Sequence, residues 1–378
     1  MRIALITDGI WPYVLGGMQK HSYYLCKYLA QNKVQVDLIH YNASNYDINK
    51  LEFFSDEEKK FITSIIVNFP KGLPFPGHYI YKSYKHSKLI FQALKDNLKA
   101  YDFIYTKGFT GWYLINQKKS GKVNCNKIGV KFHGYEMFQK PPDFKIKLQH
   151  IFLLRRPVKK ISQNADVVFS YGGKITDIIK SIGIEASKII ELPSGVESSI
   201  LASSITPTAE KIKFLFLGRY ERRKGVEELS QAITNLKDKN FEFHFIGPIP
   251  EEKKLQHKNV VYHDEIRDKQ ILNGLIKKCD VLVCPSWSEG MPNVILEGMA
   301  NGLAILATDV GATNVLVNNQ TGWLINNCDV KEIQETLVKI INTPHQEIDS
   351  KKQKALKIIT ENFVWEKLVL KLIEKLKI

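Results

Sequence analysis

Asp280-Val281-Leu282-Val283-Cys284-Pro285-Ser286-Trp287-Ser288-Glu289-Gly290-Met291-Pro292-Asn293-Val294-Ile295-Leu296-Glu297-Gly298-Met299-Ala300 reads as a strand, a loop and a helix in succession. The stretch 280–284, apolar after Asp280, suits a strand buried inside a parallel sheet. Pro292 suits the first turn of a helix over 292–300, which leaves Glu289 on the loop and puts Glu297 in the second turn. Gly290 keeps backbone amides accessible at the helix's positive end. One loop carboxylate and one helix carboxylate can then hold sugar hydroxyls while the amides attract phosphate.

The same alternation extends in both directions. Upstream, strands are predicted at 2–7, 34–40, 61–68, 102–106, 127–132, 166–170 and 188–192, with helices at 18–31, 79–99 and 144–164 between them. A small, polar, Pro-containing segment, 198–210, is the best linker. A second series follows it, with strands at 211–217, 242–246, 260–262, 280–284 and 304–307. Its helices are predicted at 225–236, 269–278, 292–300 and 330–341, and 346–378 reads as helical throughout. A length of 378 residues fits two domains. The expected class is α/β, with two doubly wound, Rossmann-like domains facing across a cleft: an N-terminal domain over 1–197 and a C-terminal one over 211–361. Ligands of such sheets bind beyond the carboxyl ends of the strands.

Composition narrows the classes further. The chain is 44% hydrophobic and 25% charged, as in a packed globular protein rather than a disordered or coiled-coil one. Its apolar runs are short, like Ile151-Phe152-Leu153-Leu154, far below a membrane span. The N-terminus meets Asp8 too early for a signal peptide and reads as a strand. Five cysteines without a Cys-x-x-Cys pair point to free buried thiols in a reducing compartment, hence a cytoplasmic location, and to no zinc site. Charge is lopsided. Residues 1–190 hold 29 Lys and Arg against 14 Asp and Glu, whereas 191–378 hold 25 of each, so the entire +15 lies in the first half. Such a half suits a polyanionic partner. Segment 140–160 has seven cations against Asp143, interleaved with Phe144, Leu148, Ile151, Phe152 and Leu154, and 81–99 is a second basic, aromatic helix. Either these helices lie on an anionic membrane, at the inner face, or their apolar sides pack on the sheet.

Three further stretches follow predicted strands. Asp8 to Gly17, with Gly16 and Gly17, reads either as a loop that lets a ligand approach the backbone or as a plain turn. Gly218-Arg219 and Lys224-Gly225 either place two cations where they can grip a diphosphate or belong, with Arg222 and Arg223, to a solvated charge cluster. His133, in Phe132-His133-Gly134, is either a cleft hydrogen-bonding or acid–base group or a structural histidine.

Together these motifs resemble glycosyltransferase family 4, the retaining nucleotide-sugar transferases of GT-B architecture. The resemblance spans essentially the whole chain and is most specific at Glu289 to Glu297. It also includes Gly16-Gly17, His133-Gly134, Pro193-Ser194-Gly195, Gly218-Arg219, Lys224-Gly225 and Phe363-Val364-Trp365. It implies that Arg219 and Lys224 hold the donor diphosphate, Glu297 the ribose and Glu289 the transferred sugar. Gly290 and Met291 would offer amides, Asn293 and Gly218 would join the donor site, and Gly16-Gly17 would lie near the diphosphate. His133 would face the reaction centre, and 362–378 would cross back to the first domain. The implied reaction moves a hexose from a nucleoside-diphosphate sugar, UDP favoured, to a glycan or lipid-linked acceptor in bacterial-type cell-surface polysaccharide synthesis. No Asp-x-Asp motif appears, in keeping with a metal-independent enzyme without a cofactor. Ser194 replaces a usual Asn, and Gly311-Ala312-Thr313-Asn314 lacks the usual double glycine. The alternatives are an epimerase or phosphorylase of the same fold, or a basic nucleic-acid-binding protein. The last has no recognised motif, so no nucleic-acid partner is expected.

Overall fold

The structure is a computed structural model that describes residues 1–14, 16–41, 51–72, 77–236, 239–266 and 268–377. Its first sheet comprises β1 (Arg2–Ile6), β2 (Gln35–His40), β3 (Ile62–Ile66), β4 (Phe103–Lys107), β5 (Ile128–Lys131), β6 (Val167–Ser170) and β7 (Ile189–Glu191). All pair in parallel, in the order β3-β2-β1-β4-β5-β6-β7. The second comprises β8 (Ile212–Leu217), β9 (Phe241–Ile246), β10 (Val260–His263), β11 (Val281–Cys284), β12 (Ala304–Thr308) and β13 (Gly322–Ile325), in the parallel order β10-β9-β8-β11-β12-β13. Both sheets have their first strand inside rather than at an edge. Between β1 and β4, and between β8 and β11, successive connections leave in opposite directions and open a crevice.

The central strands read as unbroken apolar runs because helices cover both faces; β4, β5, β11 and β12 are buried along their whole length. Three predicted elements differ from the sequence reading. The helix expected over 79–99 ends at Leu94, where Lys95-Asp96-Asn97 turns the chain into a short 3-10 turn, Leu98–Ala100; Asp and Asn favour turns over helix interiors. Segment 144–164 is interrupted by a π-helical turn, His150–Leu154. The 346–378 stretch is two helices, His345–Asn362 and Trp365–Leu376; Ile378 lies outside the described residues. The break at Phe363-Val364 has a tertiary cause. The Val196 N–H donates to Phe363 O at 2.9 Å, and the Trp365 N–H donates to Val196 O at 3.0 Å. Strand β13 and the Trp112–Lys119 and Lys174–Ser181 helices were not predicted.

Beyond that break the chain belongs to the first domain's core. Trp365 is fully buried, edge-on to His21 at 4.9 Å, and Val369 and Leu372 pack with it against the Gly17–Gln31 helix. Segment 198–210 is tied down along the second domain. The Ala202 N–H donates to Ala300 O at 2.8 Å, and the Thr208 hydroxyl donates to Asp349 at 2.7 Å.

Candidate active site

The carboxyl ends of β5 and β8, with the loop that follows β11, open onto one cavity of about 390 Å³ between the domains. The structure brings Gly16, Gly17 and His133 to it from one side. Gly218, Arg219, Lys224, Glu289, Met291, Asn293 and Glu297 come from the other. Gly290 sits where the two loops meet. A Cβ there would stand 1.9 Å from the His133 carbonyl oxygen, so only glycine permits this backbone-to-backbone approach. Gly17 is less confined, with the position of a Cβ 3.2 Å from His133 Nε2.

Glu289 organises the charge. Its buried carboxylate accepts hydrogen bonds from Lys224 Nζ at 2.6 Å, the Ser286 hydroxyl at 2.9 Å and Arg223 Nη1 at 3.4 Å. Burial pushes this carboxyl up, but Lys224 and Arg223 outweigh burial and hold it at about 2. Pro292 is the residue before the Asn293–Ala300 helix rather than in its first turn, since its ψ of 115° is extended. The helix amides therefore begin one residue later.

The basic loop sorts differently from expectation. Arg222–Lys224 form a single 3-10 turn, in which successive side chains point about 120° apart. Arg222 leaves the cleft to pair with Glu228 at 2.7 Å, whereas Arg223 and Lys224 both reach Glu289. Arg219, expected to partner Lys224, is 68% exposed at the cleft rim and pairs with Glu221 at 2.9 Å. Arg223, read as solvated charge, is the second cation on Glu289. The four-residue spacing from Arg219 carried no sign of this, because it depends on where Glu289 arrives from β11.

Two cross-cleft partners were also missed. Lys20, on the Gly17–Gln31 helix, forms an ion pair with Glu297, and that carboxylate raises the Lys20 ammonium above its ordinary value against the pull of burial. Gln139 Nε2 donates to Gly134 O at 2.6 Å and to Glu289 O at 2.7 Å, while its Oε1 accepts from the Glu289 N–H at 3.4 Å. Gln139 also lines a neighbouring cavity of about 480 Å³, with Trp287 and Asp309. Ser194, at the position where Asn was usual, donates its hydroxyl to Asn293 Oδ1 at 3.2 Å and so also joins the two domains.

His133 Nδ1 shares a 2.8 Å hydrogen bond with the Tyr171 hydroxyl. Burial, reinforced by Lys107 and Lys131, depresses the imidazole to about 3, so it is neutral across the working pH range. Where Tyr171 donates, the Nε2 proton is presented to the cleft. A third cavity, about 410 Å³, lies wholly in the first domain and shares His133 and Glu136 with the interdomain cleft. Tyr79, Phe109 and Phe132 give it an aromatic wall. Asp8 lines it as well, and burial pushes that carboxyl up to about 6. Burial likewise raises Glu136, at the junction of the two cavities. Among the described residues, no group of three or more His, Cys, Asp or Glu stands together as a metal site.

Residues 211–343 match the family model Glycosyl transferases group 1. An uncharacterized glycosyltransferase of Methanocaldococcus jannaschii is 26% identical over 376 residues, covering 97% of this chain and 95% of that protein. The chain is thus similar to glycosyltransferases over its whole length, and its architecture is GT-B. The fold is also that of sucrose-phosphate synthase from Thermosynechococcus elongatus, with a TM-score of 0.79 at 17% identity over 100% of this chain and 98% of that one. A partial relative is the N,N'-diacetylbacillosaminyl-diphospho-undecaprenol alpha-1,3-N-acetylgalactosaminyltransferase of Campylobacter jejuni. It is 28% identical over 200 residues, and the match spans 51% of each protein. The matched family segment thus lies on the side that supplies Lys224, Glu289 and Glu297. No helix among the described residues is long and apolar enough to cross a membrane.

Proposed function

We propose that the protein moves a hexose from a nucleoside-diphosphate sugar, a UDP-sugar favoured, to a glycan or lipid-linked acceptor, with retention at the anomeric carbon. The setting proposed is cell-surface polysaccharide synthesis, on the cytoplasmic side and at an anionic membrane face. One observation carries the reading: Lys224, Arg223 and the amino end of the Asn293–Ala300 helix converge around Glu289, opposite a neutral His133.

In this reading the diphosphate lies between Lys224, Arg223 and the helix amides, with Arg219 at the rim. The bond between the anomeric carbon and the diphosphate oxygen breaks, and its electron pair stays on the diphosphate. The cations and the helix end stabilise that charge as it develops, without need of a metal. The acceptor oxygen bonds to the same face of the sugar, and its proton passes to the departing phosphate oxygen. Glu289, held as an anion at about 2, accepts hydrogen bonds from sugar hydroxyls and offsets positive charge on the ring. The Nε2–H of His133 donates to a hydroxyl or to the phosphate. Glu297 takes the ribose hydroxyls, which displaces Lys20 toward the diphosphate.

Thermal shift against UDP-, GDP- and ADP-sugars tests the donor, since a ligand bound to the native state raises the melting temperature. Glu297→Ala should weaken the responding nucleotide at least tenfold, about 1.4 kcal/mol. Wild-type binding by that variant refutes the site. Product analysis separates the epimerase, which interconverts the sugar nucleotide without releasing nucleoside diphosphate. Undiminished turnover in EDTA is the expected result for metal independence.

A further inference from the structure

The helical segment 144–164 divides into an exposed half and a packed half. From Arg155 onward its apolar side packs inward through Val158 and Ile161. From Phe144 to Leu154 no residue is buried. Phe144 is 70% exposed and Phe152 75%, with Leu148 and Ile151 also outside. The π-helical turn at His150–Leu154 lets one continuous segment change which side it turns to the core. Against this turn abuts the start of the His78–Leu94 helix, since a Cβ on Gly77 would lie 3.6 Å from Leu153. That helix adds Tyr79 and Tyr81, each half-exposed. A soluble protein rarely leaves so many large apolar tips together on one face.

The charge around these tips has one sign. Lys145, Lys147, Arg156, Lys159 and Lys160 are exposed, and none has an ion-pair partner among the described residues. Asp143, the one acid of 140–160, is spent on capping, where it accepts the Ile146 N–H at 2.8 Å. A second copy of so basic a face would repel this one, whereas an anionic surface with an apolar interior satisfies both its lysines and its phenylalanines.

The face also leads to the site. Tyr79 stands on its edge and in the wall of the aromatic cavity, where its ring meets Phe109 at 6.0 Å; Phe109 meets Phe132 at 5.6 Å. Leu154, at the end of the π-helical turn, lines the same cavity. His133 and Glu136 join that cavity to the donor cleft.

We infer that the Tyr79, Tyr81, Phe144 and Phe152 face docks on an anionic lipid bilayer, and that the aromatic cavity behind it receives the head of a lipid-linked acceptor from that surface. The second half of this inference rests on the transferase reading; the docking itself does not. Of the two acceptor classes, it selects the lipid-linked one.

Flotation with vesicles of equal phosphatidylglycerol and phosphatidylcholine, against phosphatidylcholine alone, tests it on the full chain. The chain should float with the anionic vesicles, and less as salt rises. Phe144→Ser with Phe152→Ser should cut partitioning at least tenfold, and Lys145→Glu with Lys147→Glu should remove the preference for phosphatidylglycerol. Ile271→Ser, at an apolar residue 57% exposed in the second domain, should change nothing. All variants should keep the wild-type melting shift with UDP-sugar. Equal flotation on both vesicles, wild-type flotation of the phenylalanine pair, or an equal loss in Ile271→Ser overturns docking. So does lysine-dependent binding of poly(U) by a chain that ignores vesicles. A missing UDP-sugar shift with docking intact fails the donor reading and leaves docking standing.

Discussion

Lys224→Met separates the structural from the functional work of the central ion pair. At 2.6 Å and an effective dielectric near 20, the Lys224–Glu289 attraction is about 6 kcal/mol before desolvation. A second route gives a net value. Glu289 is held at about 2 against an ordinary 4.5, which corresponds to about 3 kcal/mol. That stability is fully present above pH 4.5 and is lost as pH falls through about 2. Arg223 is more distant and shares the load, so Lys224→Met should cost up to about 3 kcal/mol at pH 7, within the range for orphaning a buried charge. For a domain of about 150 residues this lowers its melting temperature by roughly 6–12 °C. Adding Glu289→Gln removes the orphaned charge and should restore most of the stability. It should not restore donor affinity, because the cation is still gone. Calorimetry and nucleotide titration on wild type, both singles and the double read the two effects apart. A double variant no more stable than Lys224→Met, or one that binds donor like wild type, refutes the reasoning.

Gly290→Ala puts a methyl group into the His133 carbonyl and should hold the domains apart. Turnover should fall at least a hundredfold while nucleotide affinity changes only a few-fold, as read by kcat against Kd. Trp365→Ala empties the core that ties the C-terminal helix to the first domain and should cost about 3–5 kcal/mol by denaturant titration. Stability should also fall as pH drops from 7.5 to 5.5. Burial holds His133 at about 3 and His40 at about 4, so below 6.5 the unfolded chain takes up protons that the native one refuses. Each such group removes up to about 1.4 kcal/mol per pH unit. Asp8, raised to about 6, works in the opposite direction below that pH. His40→Asn should flatten the melting profile by up to one proton, and an unchanged slope contradicts the assignment.

The strand-and-helix alternation was legible because strands such as β4 and β11 are covered on both faces, so their sequences are apolar without interruption. The segment from Trp287 to Glu297 was legible for a related reason: a strand end, a glycine and a helix start form a local unit. Elements set by distant contacts were not. β13 is four residues long and begins with glycine, so little in it marks a strand until it pairs with β12. The halt at Phe363-Val364 exists only because Val196 is there to receive it.

By itself, then, the sequence determined two parallel α/β domains, the strand ends where ligands meet them, and the confinement of excess positive charge to the first domain. Tertiary structure decided which charges meet. It put Arg223 rather than Arg219 on Glu289, Lys20 on Glu297 across 277 residues, and Gln139 on the Glu289 backbone. It also decided that Phe144 and Phe152 face outward although Val158 and Ile161 of the same segment face in. The physical reason is common to all of these. Periodicity and propensity act over a few neighbouring residues, whereas a side chain's partner depends on how two separately folded sheets close on each other.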